Sequence, residues 1–235
     1  RESAVHIVAI LGSARKNGTS ARIARAFTDT AATYGAAVTE YPLNTMQYRG
    51  CQGCEGCHTR SDRCVLRDDL TPLLDQLYRA DVVVFAAPVY FGDTCGQFKC
   101  CYDRLWSLMD VQVGQGPGES RLPPGKTAVL ILSHVAPAGT HSDVVDRYTE
   151  GLELYGFTVQ SLTAPGLRIE PNTDIDPHLA RAAALARELM RAGTTAPAAG
   201  LQPAVTSLSL QQRFRPVRLA SYSAPSARSK KLSAV

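Results

Sequence analysis

The chain has 235 residues, of which 45% are hydrophobic, and it contains seven cysteines and a formal net charge of +4. It holds no run of about 18 apolar residues, which excludes a membrane-spanning helix. Residues 193–235 contribute six basic and no acidic side chains, so the remainder carries a charge of −2. The basic total therefore does not indicate nucleic-acid binding. The N-terminal residues lack a signal-peptide pattern, and we expect a cytoplasmic protein.

Strand and helix patterns alternate along the chain. Short runs of apolar and β-branched residues predict five strands, at residues 5–11, 37–41, 81–87, 127–133 and 158–163. Apolar residues three or four apart predict helices at residues 19–34, from Asp68 or Asp69 through Tyr78, and at 97–109, 142–155 and 176–192. Polar or Gly/Pro-rich segments predict loops at 43–67, 88–92 and 111–125.

This alternation predicts an α/β protein with the flavodoxin-like three-layer fold. We expect a five-stranded parallel sheet of order 2-1-3-4-5 with helices on both faces. The loops after the first, third and fourth strands then converge beyond the carboxyl ends of the strands, where ligands bind in such sheets. The predicted domain covers residues 5–192 and includes a cysteine-rich loop insertion at 43–67. Residues 193–235, rich in Ala, Ser and Pro, are predicted to be a disordered basic tail.

The loop after the first strand has the composition of a phosphate site. Gly12 ends an apolar run, and the loop opens a helix, so free backbone N–H groups and the helix dipole favour an anion there. Arg15 can add a charged donor, and hydroxyl donors are available from Ser13, Thr19 and Ser20. The loop has neither the G-x-G-x-x-G nor the Walker A pattern, which favours a phosphate monoester. A solvated turn with a helix cap is the alternative.

Residues 12–20, read as Gly-Ser-Ala-Arg-Lys-Asn-Gly-Thr-Ser, resemble the FMN-phosphate loop of the NAD(P)H-dependent FMN reductase family in the flavodoxin-like superfamily. Residues 88–92 are similar to the second flavin loop of that family, and Lys99 with Asp103 and Arg104 matches a further pattern. The resemblance covers about residues 5–190 and implies FMN as cofactor. It implies phosphate contacts from Ser13, Arg15, Asn17, Thr19 and Ser20. It implies contacts with the isoalloxazine edge from Pro88, Val89, Tyr90, Phe91 and Gly92.

Four cysteines follow a C-x2-C-x2-C-x6-C pattern, at Cys51, Cys54, Cys57 and Cys64. This compact run resembles the ligands of cubane clusters in bacterial ferredoxins. It also resembles the motif of the iron–sulfur flavoprotein branch of the superfamily, which implies a 4Fe-4S cluster beside FMN. Two alternatives stay open, a cysteine-rich loop without a cluster and a zinc site with His58 as a spare ligand. The other cysteines are predicted to be ordinary helix residues: Cys95, Cys100 and Cys101.

The predicted function is that of an FMN-dependent oxidoreductase. We expect it to move electrons between NAD(P)H or ferredoxin and a small acceptor, such as a quinone, through the cluster. No catalytic triad, paired carboxylates or histidine pair is visible, and no catalytic side chain is expected. The alternatives are a plain NAD(P)H-dependent FMN or quinone reductase without a cluster, a non-enzymatic flavodoxin-like electron carrier, and an interaction protein that has lost its ligand. The resemblance implies a homodimer or homotetramer.

Overall fold

The computed structural model describes residues 4–111, 118–167 and 174–193. The predicted tail lies outside the described residues, apart from Gly193. The strands within these ranges are β1 (His6–Leu11), β2 (Ala37–Pro42), β3 (Val82–Tyr90), β4 (Asp93–Thr94), β5 (Met109–Asp110), β6 (Glu119–Ser120), β7 (Thr127–Ser133) and β8 (Thr158–Ala164). The five long strands form a parallel sheet in the order β2-β1-β3-β7-β8, which confirms the predicted order 2-1-3-4-5.

Helices cover both faces of this sheet. They are α1 (Thr19–Thr33), α2 (Gly56–Thr59), α3 (Leu70–Arg79), α4 (Gly96–Asp103), α5 (Ser142–Leu154) and α6 (Asp176–Gly193). Helices α1 and α6 pack on one face, and α3, α4 and α5 pack on the other. This arrangement confirms the three-layer α/β fold. Within the described ranges, no helix combines the length and apolar character needed to cross a bilayer.

The central strands are apolar throughout because both of their faces are covered. In β1, Ile7 and Ala9 pack toward α1 and α6, whereas Val8 and Ile10 pack toward the opposite helices. All four side chains are buried. Continuous apolar runs are typical of such doubly covered parallel strands, and this is why the sequence pattern located them well.

The prediction of a loop at residues 88–92 is wrong for its first three residues. Strand β3 continues through Tyr90 and pairs antiparallel with β4, so that only Phe91 and Gly92 form the turn. The pairing of β1 with β3 ends at Leu11 and Ala86. At Pro88 the strand therefore has no β1 neighbour that needs a backbone N–H donor, and proline is tolerated at such an edge position.

The predicted helix at 97–109 is also shorter in the structure. Helix α4 ends at Asp103, and Arg104–Leu108 form a 3-10 turn that leads into β5. The Ser107 hydroxyl donates to the Arg104 carbonyl over 2.9 Å, which satisfies an acceptor at the end of the helix. Strand β6 pairs with β5, so the predicted loop at 111–125 contains a strand, while residues 112–117 lie outside the described residues. Lys99 and Asp103 form an exposed ion pair on α4.

Candidate functional site

The loop after β1 and the hairpin after β3 are joined at the carboxyl edge of the sheet. The Gly12 N–H group donates to the Ala86 carbonyl over 2.8 Å, and the Cys95 thiol donates to the Gly12 carbonyl over 3.0 Å. A Cβ atom at Gly12 would lie 2.8 Å from the Cβ atom of Phe98. A side chain at this position would therefore clash with Phe98 of α4, which explains the need for glycine here.

The first turn of α1 presents unused hydrogen-bond donors. Gly18 is the N-cap residue, and no side chain caps the helix. The N–H groups of Thr19, Ser20 and Ala21 have no acceptor within the helix, since the first N–H groups of any helix lack one. The Ser20 hydroxyl is buried, 1% of the residue being exposed, and has no hydrogen-bond partner among the described residues. A buried, unpartnered hydroxyl beside open N–H groups is what an anion site requires.

Three hydrogen bonds hold the remainder of this loop in place. The Ser13 hydroxyl accepts a hydrogen bond from the Arg15 N–H group over 3.2 Å, and the Arg15 carbonyl accepts one from Gly18 over 3.0 Å. The Arg25 guanidinium of α1 donates to the Lys16 carbonyl over 2.7 Å. Ser13 is buried, Thr19 is half-buried, and the side chains of Arg15 and Asn17 are exposed. The predicted phosphate ligands thus lie on this loop and on the first turn of α1.

The β3–β4 hairpin is held by α5. The Asp93 carboxylate accepts hydrogen bonds from the Tyr148 hydroxyl and from Arg147, each over 2.9 Å. The Tyr148 hydroxyl also lies 2.7 Å from the Thr94 hydroxyl, and burial raises the pKa of Tyr148. At the tip, Phe91 has a φ angle of 51° and a fully exposed side chain. The hairpin is therefore a fixed stem that carries an exposed aromatic residue.

The third loop begins at His134, directly after β7. His134 is buried, and its Nδ1 atom lies 3.0 Å from the Ala136 carbonyl oxygen. Its ring meets the His141 ring edge-on, with 4.9 Å between the centroids. Burial, and then the neighbouring His141, lower the pKa of His134, which favours its neutral form. The sequence indicated no contact between these two histidines, because the loop between them folds back.

The cysteine loop lies between β2 and α3. Cys57 is buried, Cys64 is half-buried, and Cys51 and Cys54 are exposed. All four border one shallow recess, which Arg104 and Trp106 also line. Burial raises the pKa of the Cys57 thiol. Within the described part of the chain, no three His, Cys, Asp or Glu side chains lie close enough to hold a metal ion. The loop thus gathers four soft donors around one space without bringing three of them into ligand geometry.

Glu55 gives this loop a sharp bend, with a left-handed φ angle of 51° immediately before α2. His58 of α2 has a buried ring that meets the Trp106 ring edge-on, with 5.2 Å between the centroids, and neither ring nitrogen has a hydrogen-bond partner in the part of the chain that the structure describes. Outside the motif, Cys100 is exposed and Cys101 is buried on α4, as predicted for helix residues, whereas Cys95 is the buried residue before the helix and bonds to the Gly12 carbonyl.

One buried arginine holds the cysteine loop from inside. The Arg104 side chain is 0% exposed, and its Nε–H group donates to the Cys64 sulfur over 3.1 Å. Its terminal nitrogens donate to the Arg49 carbonyl over 2.8 Å and to the two Asp68 carboxylate oxygens over 2.7 and 3.2 Å. Burial alone would lower the pKa of Arg104, but its hydrogen bonds to the Asp68 carboxylate outweigh burial and raise the pKa. The guanidinium therefore stays charged.

A second arginine holds the same loop from its outer side. Arg121, which follows β6, donates to the Cys57 and Asp62 carbonyls over 2.9 Å each. It also donates to the Ser107 carbonyl over 3.2 Å. All three acceptors are main-chain oxygens. Arg121 thus fixes the path of the loop but does not contact a thiol through these bonds.

The sequence did not reveal that Asp68 and Arg121 help to hold the cysteine loop. It indicated Arg104 only as part of a family pattern. Asp68 was expected as a helix cap, and its carboxylate does accept from the Leu70 N–H group over 3.1 Å. Its bonds to Arg104 were not foreseen. The available signal was the position of Arg104 on the apolar side of its helix, three residues after the buried Cys101. A charge on such a face requires a buried partner.

Comparison with known proteins gives one family. Residues 5–169 match the family model described as NADPH-dependent FMN reductase. An iron–sulfur flavoprotein from Archaeoglobus fulgidus is 32% identical over 98 residues, which are 42% of this chain and 44% of that protein. An iron–sulfur flavoprotein from Methanosarcina thermophila is 31% identical over 98 residues, or 42% of this chain and 51% of that protein. The chain thus spans about half the length of the curated relatives it matches.

Among solved structures, the chain is similar to an NAD(P)H:quinone oxidoreductase from Methanothermobacter marburgensis. The TM-score is 0.61 at 18% identity, and the match covers 80% of this chain and 96% of that one. At this identity the likeness concerns the fold, and it agrees with the three-layer architecture and strand order described above.

Proposed function

This chain belongs to the NADPH-dependent FMN reductase family, a family of oxidoreductases, and we propose that it is itself an FMN-dependent oxidoreductase. It takes electrons from NAD(P)H or a ferredoxin and passes them to a small acceptor through an added 4Fe-4S cluster. The proposal of FMN binding rests on the buried Ser20 hydroxyl, which has no partner among the described residues and lies at the uncapped N-terminus of α1.

The FMN phosphate fits the loop between β1 and α1. The N–H groups of the first turn of α1 and the Ser20 hydroxyl supply hydrogen-bond donors, and no acidic side chain lies in that turn to repel an anion. The exposed Arg15 can fold over a phosphate and add a charged donor. The proposed phosphate ligands are Ser13, Arg15, Asn17, Thr19 and Ser20.

The flavin ring is proposed to lie along the tip of the β3–β4 hairpin. The hairpin shares the carboxyl edge of the sheet with the phosphate loop, to which the Cys95–Gly12 hydrogen bond joins it. Bound FMN can accept a hydride or single electrons, and a cluster can carry single electrons. The chain itself orients the ring and covers part of it from water. The proposed ring contacts are Pro88, Val89, Tyr90, Phe91 and Gly92.

The cluster proposal rests on the chemistry of the donor set. Thiolates are the ligands that iron–sulfur clusters prefer, and the four cysteines of the motif border one recess. The proposed ligands are Cys51, Cys54, Cys57 and Cys64. The curated relatives named above are iron–sulfur flavoproteins, which supports the same assignment.

A plain FMN or quinone reductase without a cluster is the second candidate. It is favoured by the spacing of the thiols, since no three candidate ligands in the described residues lie at ligand distances from one another. The two candidates share the flavin site and differ only in the cysteine recess. An assay for metal therefore separates them.

We further propose a homodimer or homotetramer. Three exposed apolar side chains lie at or just beyond the carboxyl ends of β3 and β7: Tyr90, Phe91 and Val135. Exposed apolar groups at one edge of a sheet favour burial against another surface. A second copy of the chain covering this edge would bury them and enclose the proposed flavin site.

The test is anaerobic purification of the full chain, followed by a visible spectrum and assays of FMN, iron and acid-labile sulfide. We expect one FMN and about four iron and four sulfide ions per chain, with flavin absorption that bleaches when NADPH or NADH is added. A protein without flavin absorption would refute the flavin proposal. Flavin without iron would support the plain reductase. Flavin that is bleached by neither nucleotide but by reduced ferredoxin would assign the second donor.

Two serine variants locate the metal. Cys54→Ser removes a proposed ligand, whereas Cys100→Ser removes an exposed thiol outside the motif. Iron should fall to well below half in Cys54→Ser and stay at the wild-type level in Cys100→Ser, with FMN content equal in both. Full iron retention in Cys54→Ser would show that this cysteine is not a ligand.

A further inference from the structure

We propose that Arg104 is a positioning residue for the cluster: its Nε–H group fixes the Cys64 sulfur as a ligand, and this hydrogen bond raises the reduction potential of the bound centre. The inference rests on the proposed function, because it concerns a cluster held by the four cysteines. It goes further in assigning a residue outside the motif to the tuning of that cluster.

The position of Arg104 is fixed by its own contacts. Its side chain is fully buried, and it spans from the 3-10 turn after α4 to the cysteine loop. It contacts both ends of that loop, the Arg49 carbonyl on one side and Cys64 and Asp68 on the other. It also borders the recess that the four cysteines share. The guanidinium thus has little freedom to move away from the Cys64 sulfur.

The hydrogen-bond donors of Arg104 serve two separate sets of acceptors. Its terminal nitrogens are engaged by the Asp68 carboxylate and by main-chain carbonyls. Its Nε–H group is engaged by the Cys64 sulfur. Only a planar guanidinium offers donors in this fixed fork, and a lysine ammonium at the same position could not serve both sides. The sulfur contact is therefore a separate feature and is not required for the ion pair.

A hydrogen bond to a thiolate sulfur changes what a cluster does. It withdraws electron density from the sulfur and favours the reduced, more negative state of the centre, so that the reduction potential rises. It also orients the ligand, and loss of such outer contacts typically lowers metal affinity about 10- to 100-fold. A guanidinium serving only as a structural link between two segments would affect the stability of the fold but neither of these properties.

The experiment compares Arg104→Lys with the matched control Arg121→Lys. Both changes keep a positive charge and both loosen the cysteine loop, but Arg121 bonds to the Cys57, Asp62 and Ser107 carbonyls and to the Asp110 carboxylate, not to a cysteine sulfur. Each full-length variant is purified anaerobically with its FMN and cluster, and the cluster is titrated redox-potentiometrically and followed by EPR. Iron loss to a chelator is timed in parallel.

We expect Arg104→Lys to disfavour reduction of the cluster about tenfold, which is roughly 59 mV more negative for a one-electron couple. Iron should be lost about 10-fold faster than from the wild type. Arg121→Lys should keep the wild-type potential. Equal potentials in wild type and Arg104→Lys, both with intact clusters, would overturn the inference and leave the cluster proposal standing. Wild-type protein without iron and sulfide would overturn both.

A second measurement does not depend on the folding of a variant. Wild-type protein is produced with arginine labelled with ¹⁵N at Nε, and pulsed EPR is recorded on the reduced cluster. A ¹⁵N coupling is expected, because the labelled Nε atom of Arg104 donates directly to a ligand sulfur. A spectrum without any coupling from labelled arginine would refute the hydrogen bond in the loaded protein.

Discussion

The phosphate loop and the cysteine loop follow neighbouring strands, yet they are held in different ways. The proposed phosphate loop, residues 12–20, is anchored to the sheet by the main-chain hydrogen bond from Gly12 to Ala86, with added side-chain bonds from Cys95 and Arg25. The cysteine loop is anchored mainly by the side chains of Arg104 and Arg121. The first site thus follows from the topology of the sheet, whereas the second depends on two individual arginines. Substitutions should therefore affect the two regions very differently.

The largest effect is expected for Asp68→Ala. This change leaves the buried guanidinium of Arg104 without its carboxylate, which typically costs about 3–5 kcal/mol. The matched control is Asp103→Ala, which breaks the exposed pair with Lys99 and should cost only about 0.5 kcal/mol or less. Urea unfolding of both full-length variants measures the difference. Equal losses of stability would show that the cysteine loop is not anchored by the buried pair.

A smaller loss of stability, which also comes from the pair of Asp68 and Arg104, is expected at acid pH. Burial alone would raise the pKa of Asp68, but hydrogen bonds from Arg104 and from the Arg49 N–H group lower it below the ordinary value. Because the folded state holds this proton less tightly than the unfolded chain, the stabilisation is complete above about pH 5 and is lost as the pH falls through about 4 and below.

The measurement compares the wild type with Asp68→Asn in urea at pH 7, 5, 4 and 3. The difference in unfolding free energy between them should narrow as the pH falls through about 4 and below, because the unfolded wild-type chain then binds a proton at Asp68 that the folded carboxyl holds less tightly. The loss of unfolding free energy at pH 7 should be smaller in Asp68→Asn than in Asp68→Ala, because the amide still fills the space of the carboxylate. A difference that is constant with pH would contradict the lowered pKa.

The smallest effect, and one of opposite sign, is expected for Ser20→Ala. Removal of a buried hydroxyl without a partner should stabilise the flavin-free protein by about 1 kcal/mol. The same change should weaken FMN binding about tenfold, because one donor to the phosphate is lost. Thermal unfolding of the flavin-free chain and a fluorescence titration with FMN give the two values.

Thr28→Val is the control for this change. Thr28 is a buried hydroxyl on the same helix, and it donates to the Arg25 carbonyl over 3.3 Å. Its removal should destabilise the protein slightly and leave FMN affinity unchanged. Reduced stability in Ser20→Ala, with unchanged FMN affinity, would contradict the proposed role of the Ser20 hydroxyl.

The sequence was most informative where structure depends on neighbours along the chain. The five strands and their order could be predicted, because the central three are short apolar runs and strand patterns alternate with amphipathic helices along the chain. Pro88 was predicted to lie in a loop but lies in β3. The strand tolerates a proline there because the pairing of β1 with β3 has already ended, which the local sequence does not show. The composition of the phosphate loop was visible, but the burial of Ser20 was not. The bond from Arg104 to Cys64 joins residues 40 positions apart, and no local pattern predicts it.

The hairpin that ends in Phe91 has a consequence for motion. Its stem shares Asp93 with Tyr148 and Arg147 of α5, and Cys95 joins it to the phosphate loop. A displacement of the stem must therefore carry the helix with it or break several hydrogen bonds together. Only Phe91 and Gly92 lie outside the strand pairing. We therefore expect fast local motion only at the two-residue tip. Separation of the rest of the hairpin requires several hydrogen bonds to break together, as they do when the domain unfolds.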